Sequence, residues 1–359
     1  MGPRLQRRFV ARTKQKEIVM IDYSVFISDP PVKIEVAAWL ADKYVVVTGA
    51  GGSIGSEICA RLLQYPVRQI VAVGRSEEPL FNLRNKLRHP RLEIKIADIR
   101  DAERVKEVLE DNKPDILFHA AAYKHVGLME KFEAEAVKNN IFGTINLFDN
   151  LPVRTDFVFV STDKAVNPSS VMGATKRFCE KYIAAYRNML SSVDIVRLGN
   201  VIGSSGSVAQ IFEDCAKKNK PLCVTHAGME RFFITPANAA ALIIQAGAFQ
   251  ANAAYVLKMG PAINILKLAE FIKDFYSSDS SIVIDQPGPG EKITEELFDR
   301  PVQEIPGKRL FKLTNEYVNS DEIERFLVRF RSSLEDPHKL RAALFESVEN
   351  NPDEWRMGL

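Results

Sequence analysis

The sequence predicts an α/β protein whose doubly wound parallel sheet is followed by a smaller C-terminal region. Three observations lead to this prediction. Short apolar, β-branched runs alternate with helical stretches between positions 44 and 200, a pattern typical of parallel strands joined by crossover helices. A glycine-rich turn follows the first of these runs. After position 200 the alternation loosens, as expected of a smaller region that covers a ligand.

Each predicted strand is a short apolar or β-branched run between turn residues. The strands are predicted at 44–48, 69–73, 92–96, 116–119, 157–160 and 194–198. The helices between them are predicted at 57–64, 80–87, 102–112, 134–150 and 172–190. Strands that alternate with helices in this way form a parallel sheet with helices on both faces.

Three segments flank or follow this main domain of residues 44–200. Residues 1–43 form a leader, with a short helix at 34–40, that we expect to pack on the main body. Residues 201–315 form the smaller region, from which the chain can return to the main sheet. Its helices are predicted at 208–218, 236–247 and 265–276, and its short strands near 222–224 and 255–257. Residues 316–359 contain amphipathic helices expected to pack on the body or on a partner subunit.

Composition excludes several classes of function. The 48 basic and 46 acidic side chains nearly cancel, for a net charge of +2, so no charge excess favours nucleic acid. No run of 18 or more apolar residues is present, so no membrane span is expected. The four cysteines are scattered without a CxxC pair, and no histidine pair has metal-ligand spacing. We therefore expect no metal site and a reducing, cytoplasmic location.

The turn after the first strand predicts a dinucleotide-binding, Rossmann-like domain. It reads TGAGGSIG and also opens the first helix, which is the context that gives such a glycine pattern its meaning. Gly49 permits the tight turn, Gly52 lets a pyrophosphate approach the backbone, and Gly55 lets the helix lie close to the sheet. Ser53 and Ile54 lie in the first helical turn, whose unpaired N–H groups attract phosphate.

Arg75 points to the form of the nicotinamide cofactor. It stands about 20 residues after the turn, where an acid would bind the ribose of NAD and an arginine can pair with the 2′-phosphate of NADP. The sequence therefore favours NADP, and the nearby Glu77 and Glu78 leave NAD open. Asp98 is placed to meet the adenine edge or to cap the following helix. Other expected cofactor contacts follow the ends of the second to fourth strands: Ser76, Ile99, Ala120, Ala121 and Ala122.

The fifth strand leads into the run STDK at 161–164, and MGATK follows at 172–176. This arrangement resembles the extended short-chain dehydrogenases/reductases, whose signature here is Tyr-x-x-x-Lys after a strand that carries Ser or Thr. Met172 stands at the tyrosine position and Lys176 at the lysine position. A thioether cannot take a proton, so this departure bears directly on the chemistry.

A closer resemblance covers about residues 30–315. The chain is similar to the nucleotide-sugar 4,6-dehydratases of bacterial polysaccharide and glycoprotein biosynthesis, which act on UDP-N-acetylglucosamine. Several of those enzymes carry Met in place of Tyr. Many also carry a membrane-spanning N-terminal part, so this chain looks like a soluble short form or a catalytic fragment. The stretches that carry the resemblance are FHAAAYKHV (118–126), NNIFGT (139–144), STDKAV (161–166), MGATK (172–176), GNVIGSSGS (199–207) and GEK (290–292).

The resemblance implies oxidation at C4, loss of water across C5–C6 and return of the hydride to C6. Thr162 would bind the C4 oxygen, and Asp163 would protonate the leaving C6 hydroxyl. Lys164 would take the C5 proton as a neutral amine, its pKa lowered by Lys176 or by the nicotinamide ring. Lys176 would also hold the nicotinamide ribose. The acceptor of the C4 hydroxyl proton is either Asp163 or Thr162 through a relay.

The resemblance also implies the substrate-binding residues, which are Lys124, His125, Asn200, Arg231 and Glu291. Gly288 replaces an arginine of the family pattern and removes a cation expected at the substrate diphosphate. Arg231 is the candidate replacement, and the alternative is an ordinary surface arginine. His119 ends a strand and is expected to be a packed core histidine. A homo-oligomer is expected, with a dimer built on the helices at 134–150 and 172–190.

Two other functions remain open from the sequence. A nucleotide-sugar 4-epimerase or plain dehydrogenase can use the same fold, but an epimerase needs no acid–base pair for C5 and C6. A catalytically silent dinucleotide-binding protein would explain the missing tyrosine. The presence of Thr162, Asp163, Lys164 and Lys176 together favours an enzyme.

Overall fold

The computed structural model describes residues 21–349, with a nine-stranded sheet at the centre and helices on both of its faces. Those parts of the predicted leader and C-terminal segment that fall in residues 1–20 and 350–359 lie outside the described residues. The strands are β1 (Tyr44–Thr48), β2 (Gln69–Gly74), β3 (Leu92–Ile96), β4 (Ile116–His119), β5 (Asp156–Thr162), β6 (Ser192–Leu198), β7 (Asn200–Val201), β8 (Leu222–Val224), β9 (Glu230–Arg231), β10 (Phe233–Ile234), β11 (Ala254–Leu257), β12 (Ile263–Asn264), β13 (Ile282–Ile284), β14 (Val302–Ile305) and β15 (Leu310–Leu313).

The helices alternate with these strands as the sequence pattern predicts. They are α1 (Tyr23–Phe26), α2 (Ala37–Leu40), α3 (Ser53–Leu62), α4 (Glu77–Leu87), α5 (Ala102–Asn112), α6 (Val126–Met129), α7 (Glu133–Ala136), α8 (Gly143–Asp149), α9 (Val171–Tyr186), α10 (Val208–Lys217), α11 (Pro236–Gly247), α12 (Ile265–Phe275), α13 (Ser320–Ser333) and α14 (Pro337–Glu346). The predicted α/β fold class is confirmed, and all six strands predicted between positions 44 and 200 are present.

The strand order of the central sheet is β14-β15-β11-β6-β5-β4-β1-β2-β3. Neighbours from β3 to β11 are parallel, whereas at one edge β15 runs antiparallel to both of its neighbours, β11 and β14. The order reverses between β1 and β4, where Thr48 pairs with His119. In doubly wound sheets the ligand binds at such a switch point, outside the carboxyl ends of the strands. The chain after position 200 returns to this sheet through β11, β14 and β15.

Apolar side chains fill both faces of the sheet because the parallel strands are buried on both sides. One core lies under α5, α8, α9, α13 and α14, and the other lies under α2, α3, α4 and α11. A third, smaller core joins α10, α12 and β8 in the C-terminal lobe, where Tyr23 and Ile27 of the N-terminal segment also pack. The start of this segment is therefore attached to the lobe, whereas Val32, Ile34 and Val36 pack in the core of the main sheet under α3 and α11.

The helix predicted at 134–150 is interrupted. A π-helical turn, Val137–Phe142, separates α7 from α8. Within it, Asn140 donates from Nδ2 to the Tyr123 carbonyl and to Thr175 Oγ1 on α9. A wide turn of this kind often marks a functional site, and here it directs an amide side chain toward the loop after β4. The simple periodic pattern of apolar residues contains no signal for this interruption.

The C-terminal helices α13 and α14 pack on α9, and the residues of α9 from Val171 to Ile183 are buried. The chain's own C-terminal helices cover α9, so α9 does not present a free face for the predicted dimer. A homo-oligomer, including one built on residues 134–150, stays a prediction. Among residues 21–349, no helix has both the length and the apolar character needed to cross a bilayer.

Candidate active site

The glycine turn between β1 and α3 is shaped by close backbone contacts. Gly49 has a positive φ of 66°, and a Cβ there would lie 2.7 Å from the backbone nitrogen of Ala121. A Cβ on Gly55 would overlap the carbonyl oxygen of Gly49. Only glycine fits these two positions, so the first turn of α3 lies directly against the end of β1. Its free N–H groups form a site suited to a phosphate.

A cleft of about 130 Å³ lies beside this turn, at the carboxyl ends of β1 to β4. Of the predicted cofactor residues, the cleft is lined by Gly49, Arg75, Asp98, Ile99, Ala121 and Ala122. Gly52, Ser53, Ile54, Gly55, Ser76, Ala120 and Lys176 do not line it. Residues that the sequence analysis missed also line it: Val73, Gly74, Ala97, Tyr123 and Asn139. Tyr123 and Asn139 lie within stretches that carry the family resemblance, and that is the signal that could have identified them.

Arg75 lies at the rim of the cleft against Tyr123. Its guanidinium carbon is 4.6 Å from the centre of the Tyr123 ring, and its Nη1 donates a hydrogen bond to the phenol oxygen. Stacking of this kind orients a guanidinium without neutralising it. Arg75 therefore presents its guanidinium at the edge of the cleft.

Asp98 does not cap the helix that follows β3, so that alternative is wrong. Asp101 is the N-cap of α5, because its carboxylate accepts a hydrogen bond from the Arg104 backbone N–H. Asp98 instead binds the side chain and backbone of Arg100, and these hydrogen bonds lower the pKa of Asp98. Its carboxylate lines the cleft as a charged group.

A loop after β7 reaches the glycine turn from the opposite side. The backbone N–H of Ser205 donates to Ser53 Oγ at 3.1 Å, and Lys124 Nζ donates to the Ser205 carbonyl at 2.7 Å. The His125 ring lies against Gly206. The predicted cofactor residue Ser53 and the predicted substrate residues Lys124 and His125 are thus brought together by this loop.

The run Thr162-Asp163-Lys164 lies at the carboxyl end of β5. Lys164 Nζ is 3.0 Å from Asp163 Oδ1, and Thr162 Oγ1 donates to the same carboxylate oxygen at 3.0 Å. Lys164 Nζ also donates to Asn200 Oδ1 at 3.1 Å. Asn200, predicted as a substrate residue, therefore holds the lysine. All four side chains come together as a hydrogen-bonded group.

Lys164 is charged in this arrangement. Burial acts to lower the pKa of its amine, but the carboxylates of Asp163 and Glu295 outweigh burial and raise the pKa above its ordinary value. The expectation that Lys176 lowers this pKa is wrong. Burial lowers the pKa of Lys176 itself to about 8, and its Nζ lies 3.7 Å from the centre of the Phe159 ring. Met172, one turn earlier on α9, is buried in the apolar core.

Arg231 is not a surface arginine. It is buried, and its guanidinium donates to the backbone carbonyls of Lys292 and Ile293. Glu291 Oε1 lies 3.6 Å from its Nη2 and Glu295 Oε1 lies 3.8 Å from its Nε. Glu295 also contacts Lys164, so it links Lys164 to Arg231, which in turn lies beside Glu291. Glu295 follows the motif GEK by three residues, but a buried acid in an irregular segment has no local sequence signal.

His119 is a core histidine, as predicted. Its two ring nitrogens lie at hydrogen-bond distance from Thr48 Oγ1 and Thr144 Oγ1, and burial, with the nearby Lys176 charge, holds its pKa well below the usual range. His125 has a lowered pKa through burial and the neighbouring Lys124 charge. Within the described part of the chain, no group of three His, Cys, Asp or Glu side chains is arranged to hold a metal ion.

Several curated proteins that resemble the chain are named for polysaccharide biosynthesis or as UDP-glucose 4-epimerases. It is 36% identical over 336 residues to the probable polysaccharide biosynthesis protein EpsC of Bacillus subtilis, covering 89% of this chain and 55% of that protein. It is 41% identical over 286 residues to the capsular polysaccharide biosynthesis protein CapD of Staphylococcus aureus, covering 75% and 48%. The chain thus spans about half the length of these two relatives. A UDP-glucose 4-epimerase of Rickettsia rickettsii is 32% identical over 71% of this chain and 77% of its own length.

Solved structures share the fold. Pen from Bacillus thuringiensis superposes with a TM-score of 0.71 at 33% identity, covering 78% of this chain and 90% of Pen. The dTDP-glucose 4,6-dehydratase DesIV from Streptomyces venezuelae, solved with NAD and TYD, superposes with a TM-score of 0.61 at 23% identity, covering 71% and 88%. The second likeness shows the fold alone. Residues 45–309 match the family described as polysaccharide biosynthesis protein, and the chain therefore belongs to that family.

Proposed function

We propose that the chain is a nucleotide-sugar 4,6-dehydratase that acts on UDP-N-acetylglucosamine. The observation that carries the proposal is the contact between Asp163 and Lys164 at the carboxyl end of β5, with 3.0 Å between Nζ and Oδ1. An acid and a base side by side suit an elimination in which one group takes a proton from C5 and the other protonates the C6 hydroxyl. The family membership supports a nucleotide-sugar substrate.

The cofactor in this proposal is a nicotinamide dinucleotide, and the charge of Arg75 favours NADP over NAD. The glycine turn and the cleft along β1 to β4 fit such a group, because the close contacts at Gly49 and Gly55 set the first turn of α3 beside the cleft, and the N–H groups of a first helical turn attract phosphate. The bound cofactor would take the hydride from C4 and return it to C6. Lys176 would hold the nicotinamide ribose.

Thr162 would transfer the proton of the C4 hydroxyl, and Asp163 would accept it. Thr162 Oγ1 already donates to Asp163 Oδ1, so a proton leaving the C4 hydroxyl can pass through Thr162 to the Asp163 carboxylate. Asp163 then holds the proton that the C6 hydroxyl needs in order to leave as water. This relay explains how Met172 can replace a tyrosine, because the tyrosine's role as proton acceptor passes to Asp163.

Lys164 would take the C5 proton, exchange its ammonium hydrogens with solvent, and deliver a solvent-derived proton to C5 when the hydride reaches C6. This role requires the neutral amine, whereas the two carboxylates beside Lys164 favour the ammonium. We therefore expect turnover to rise with pH. The Asp163 carboxylate loses its negative charge when it accepts the C4 proton, which weakens its hold on the Lys164 ammonium and favours the neutral amine at the step that needs it.

Incubation of the protein with UDP-N-acetylglucosamine and NADP in deuterated water tests the proposal. We expect a product lighter by one water, with one deuterium at C5, seen by mass spectrometry and NMR. The similarity to the UDP-glucose 4-epimerase supports a second candidate, a 4-epimerase. A 4-epimer with no loss of water would establish the epimerase and reject the dehydratase. Tight cofactor binding with no turnover of any nucleotide sugar would favour a silent binding protein.

A further inference from the structure

Glu295 is a buried carboxylate in contact with the proposed base. The residue is 5% exposed, and its Oε1 lies 3.4 Å from Lys164 Nζ. Its other oxygen, Oε2, is buried and has no hydrogen-bond partner among the described residues. Burial of a carboxylate is costly unless a charge nearby compensates for it. The compensating charges here are Lys164 on one side and Arg231 on the other.

Glu295 completes the surroundings of the Lys164 ammonium. An ammonium has three N–H donors. The oxygens close to Nζ are Asp163 Oδ1 at 3.0 Å, Asn200 Oδ1 at 3.1 Å and Glu295 Oε1 at 3.4 Å. Each comes from a different part of the chain: the end of β5, β7 and the segment before β14. These three oxygens fix both the position and the charge of the amine.

The charges around Glu295 and Lys164 alternate in sign. Arg231, Glu295, Lys164 and Asp163 follow one another in contact, so each charge is flanked by its opposite. Glu291 faces Arg231 from outside this chain of charges. Lys292 and Glu296, which lie close to Glu295 in the sequence, form a separate ion pair with each other. The loss of the Glu295 charge would therefore act on Lys164 and Arg231 and leave the Lys292–Glu296 pair intact.

We propose that Glu295 is a positioning residue that holds the Lys164 ammonium and ties it to Arg231. The inference rests on the proposed function for its catalytic meaning, since Lys164 is the C5 base only in a dehydratase. Glu295 itself touches no reacting atom in this scheme. It sets the pH at which Lys164 becomes neutral, because an opposite charge within about 4–6 Å shifts a pKa by roughly 1–3 units.

Three variants separate this role from a merely structural one. Glu295→Gln keeps the shape and removes the charge, and Glu295→Asp keeps the charge on a shorter arm. Glu296→Gln is the matched control, since it removes a neighbouring charge that pairs with Lys292 and not with Lys164. The ionisation of Lys164 is followed by NMR on protein labelled at lysine Cε and Nζ. The Lys164 signal is assigned by its loss in Lys164→Arg.

In the wild-type protein we expect the Lys164 signal to stay in its charged form to a higher pH than most lysines. In Glu295→Gln the midpoint should fall by about 1–3 pH units, and the rise of kcat with pH should move in the same direction. Glu296→Gln should match the wild type in both measurements. The Lys164 midpoint in Glu295→Asp should lie between those of the wild type and Glu295→Gln. If Glu295→Gln does not fold, Glu295→Asp replaces it, because a midpoint below that of the wild type still shows that the contact is weaker.

Equal Lys164 midpoints in the wild type, Glu295→Gln and Glu295→Asp would overturn the proposal. The NMR titration needs no substrate, so it decides the role of Glu295 even if the protein shows no dehydratase activity. In that case the proposed function fails while the contact between Glu295 and Lys164 is still measured. A shifted midpoint with an unchanged kcat profile would overturn the catalytic part of the inference alone.

Discussion

The carboxylate of Glu130 accepts a hydrogen bond from the backbone N–H of Val171 at 2.7 Å, at the first residue of α9. The other oxygen of Glu130 lies 2.9 Å from Arg341 Nη1 on α14. Glu130, which directly follows α6, therefore joins that helix to α9, which carries Met172 and Lys176, and to the C-terminal helix α14. A negative charge at this end of a helix is also favoured by the helix dipole.

Glu130→Ala should lower the free energy of unfolding by roughly 1.5–3 kcal/mol, because it removes a buried charged acceptor and leaves the Val171 N–H without its partner. Chemical denaturation monitored by circular dichroism measures this loss. Arg341→Ala is the control, since it removes the half-exposed ion pairs with Glu130 and Glu133 but keeps the hydrogen bond to Val171, and it should cost about 1 kcal/mol or less. An equal loss in both variants would mean that the contact with Val171 is unimportant.

Lys164→Ala should reduce dehydratase turnover by roughly 10²- to 10⁴-fold, the usual contribution of a placed proton-transfer group. Cofactor and nucleotide-sugar binding should change little, because the base acts in the transition state. Steady-state kinetics and equilibrium binding measure the two effects separately. Reduced cofactor is expected to accumulate and can be followed by its absorbance. Near-normal dehydration in this variant would remove Lys164 from the mechanism.

Arg75→Ala should weaken NADP binding and leave NAD binding nearly unchanged, since only the 2′-phosphate pairs with the guanidinium. The loss should be about 1.5–3 kcal/mol, as for a hydrogen bond to a charged group, which corresponds to roughly 10- to 150-fold in Kd. Calorimetric titration with each cofactor measures the ratio. If the wild type already binds NAD more tightly than NADP, the assignment of Arg75 to the 2′-phosphate is rejected.

Met172→Tyr should destabilise the fold by about 1–3 kcal/mol, because the larger ring must enter a packed core. Met172 is only 4% exposed and belongs to the core beneath α9. Met172→Leu conserves the volume and should cost less than about 1.5 kcal/mol. Thermal unfolding compares the two variants. A fully stable Met172→Tyr protein would show that the site holds space for a tyrosine side chain.

Asp194 should make stability depend on pH. Burial raises the pKa of its carboxyl to about 7, so the native state holds a proton that the unfolded chain releases near pH 4. The contribution of this bound proton to the free energy of unfolding is complete below pH 4. It is lost as pH rises toward 7, by at most about 1.4 kcal/mol per pH unit. Asp194→Asn should therefore gain stability relative to the wild type between pH 5 and pH 8. Urea denaturation across this range measures the difference in the free energy of unfolding, and equal stability of the two proteins at every pH would contradict the prediction.

Local patterns in the sequence determined most of the sheet. The strands from β1 to β6 were predicted because buried parallel strands are short β-branched runs. The glycine turn was predicted because the positive φ of Gly49 and the contact between Gly55 and the Gly49 carbonyl are constraints within a few residues of each other. Thr162, Asp163 and Lys164 were found for the same reason, since adjacent residues at a strand end remain together in the fold.

Tertiary structure alone decided which charges meet. Glu295 reaches Lys164, and Glu130 reaches Val171, across segments that are far apart in the chain. No periodicity or spacing encodes such a contact, because it depends on how separate elements pack. The same is true of the charge of Lys164: the sequence predicted an amine made neutral by a nearby cation, whereas folding placed two carboxylates beside it. Electrostatic state follows from distance and burial, and these exist only after the chain has folded.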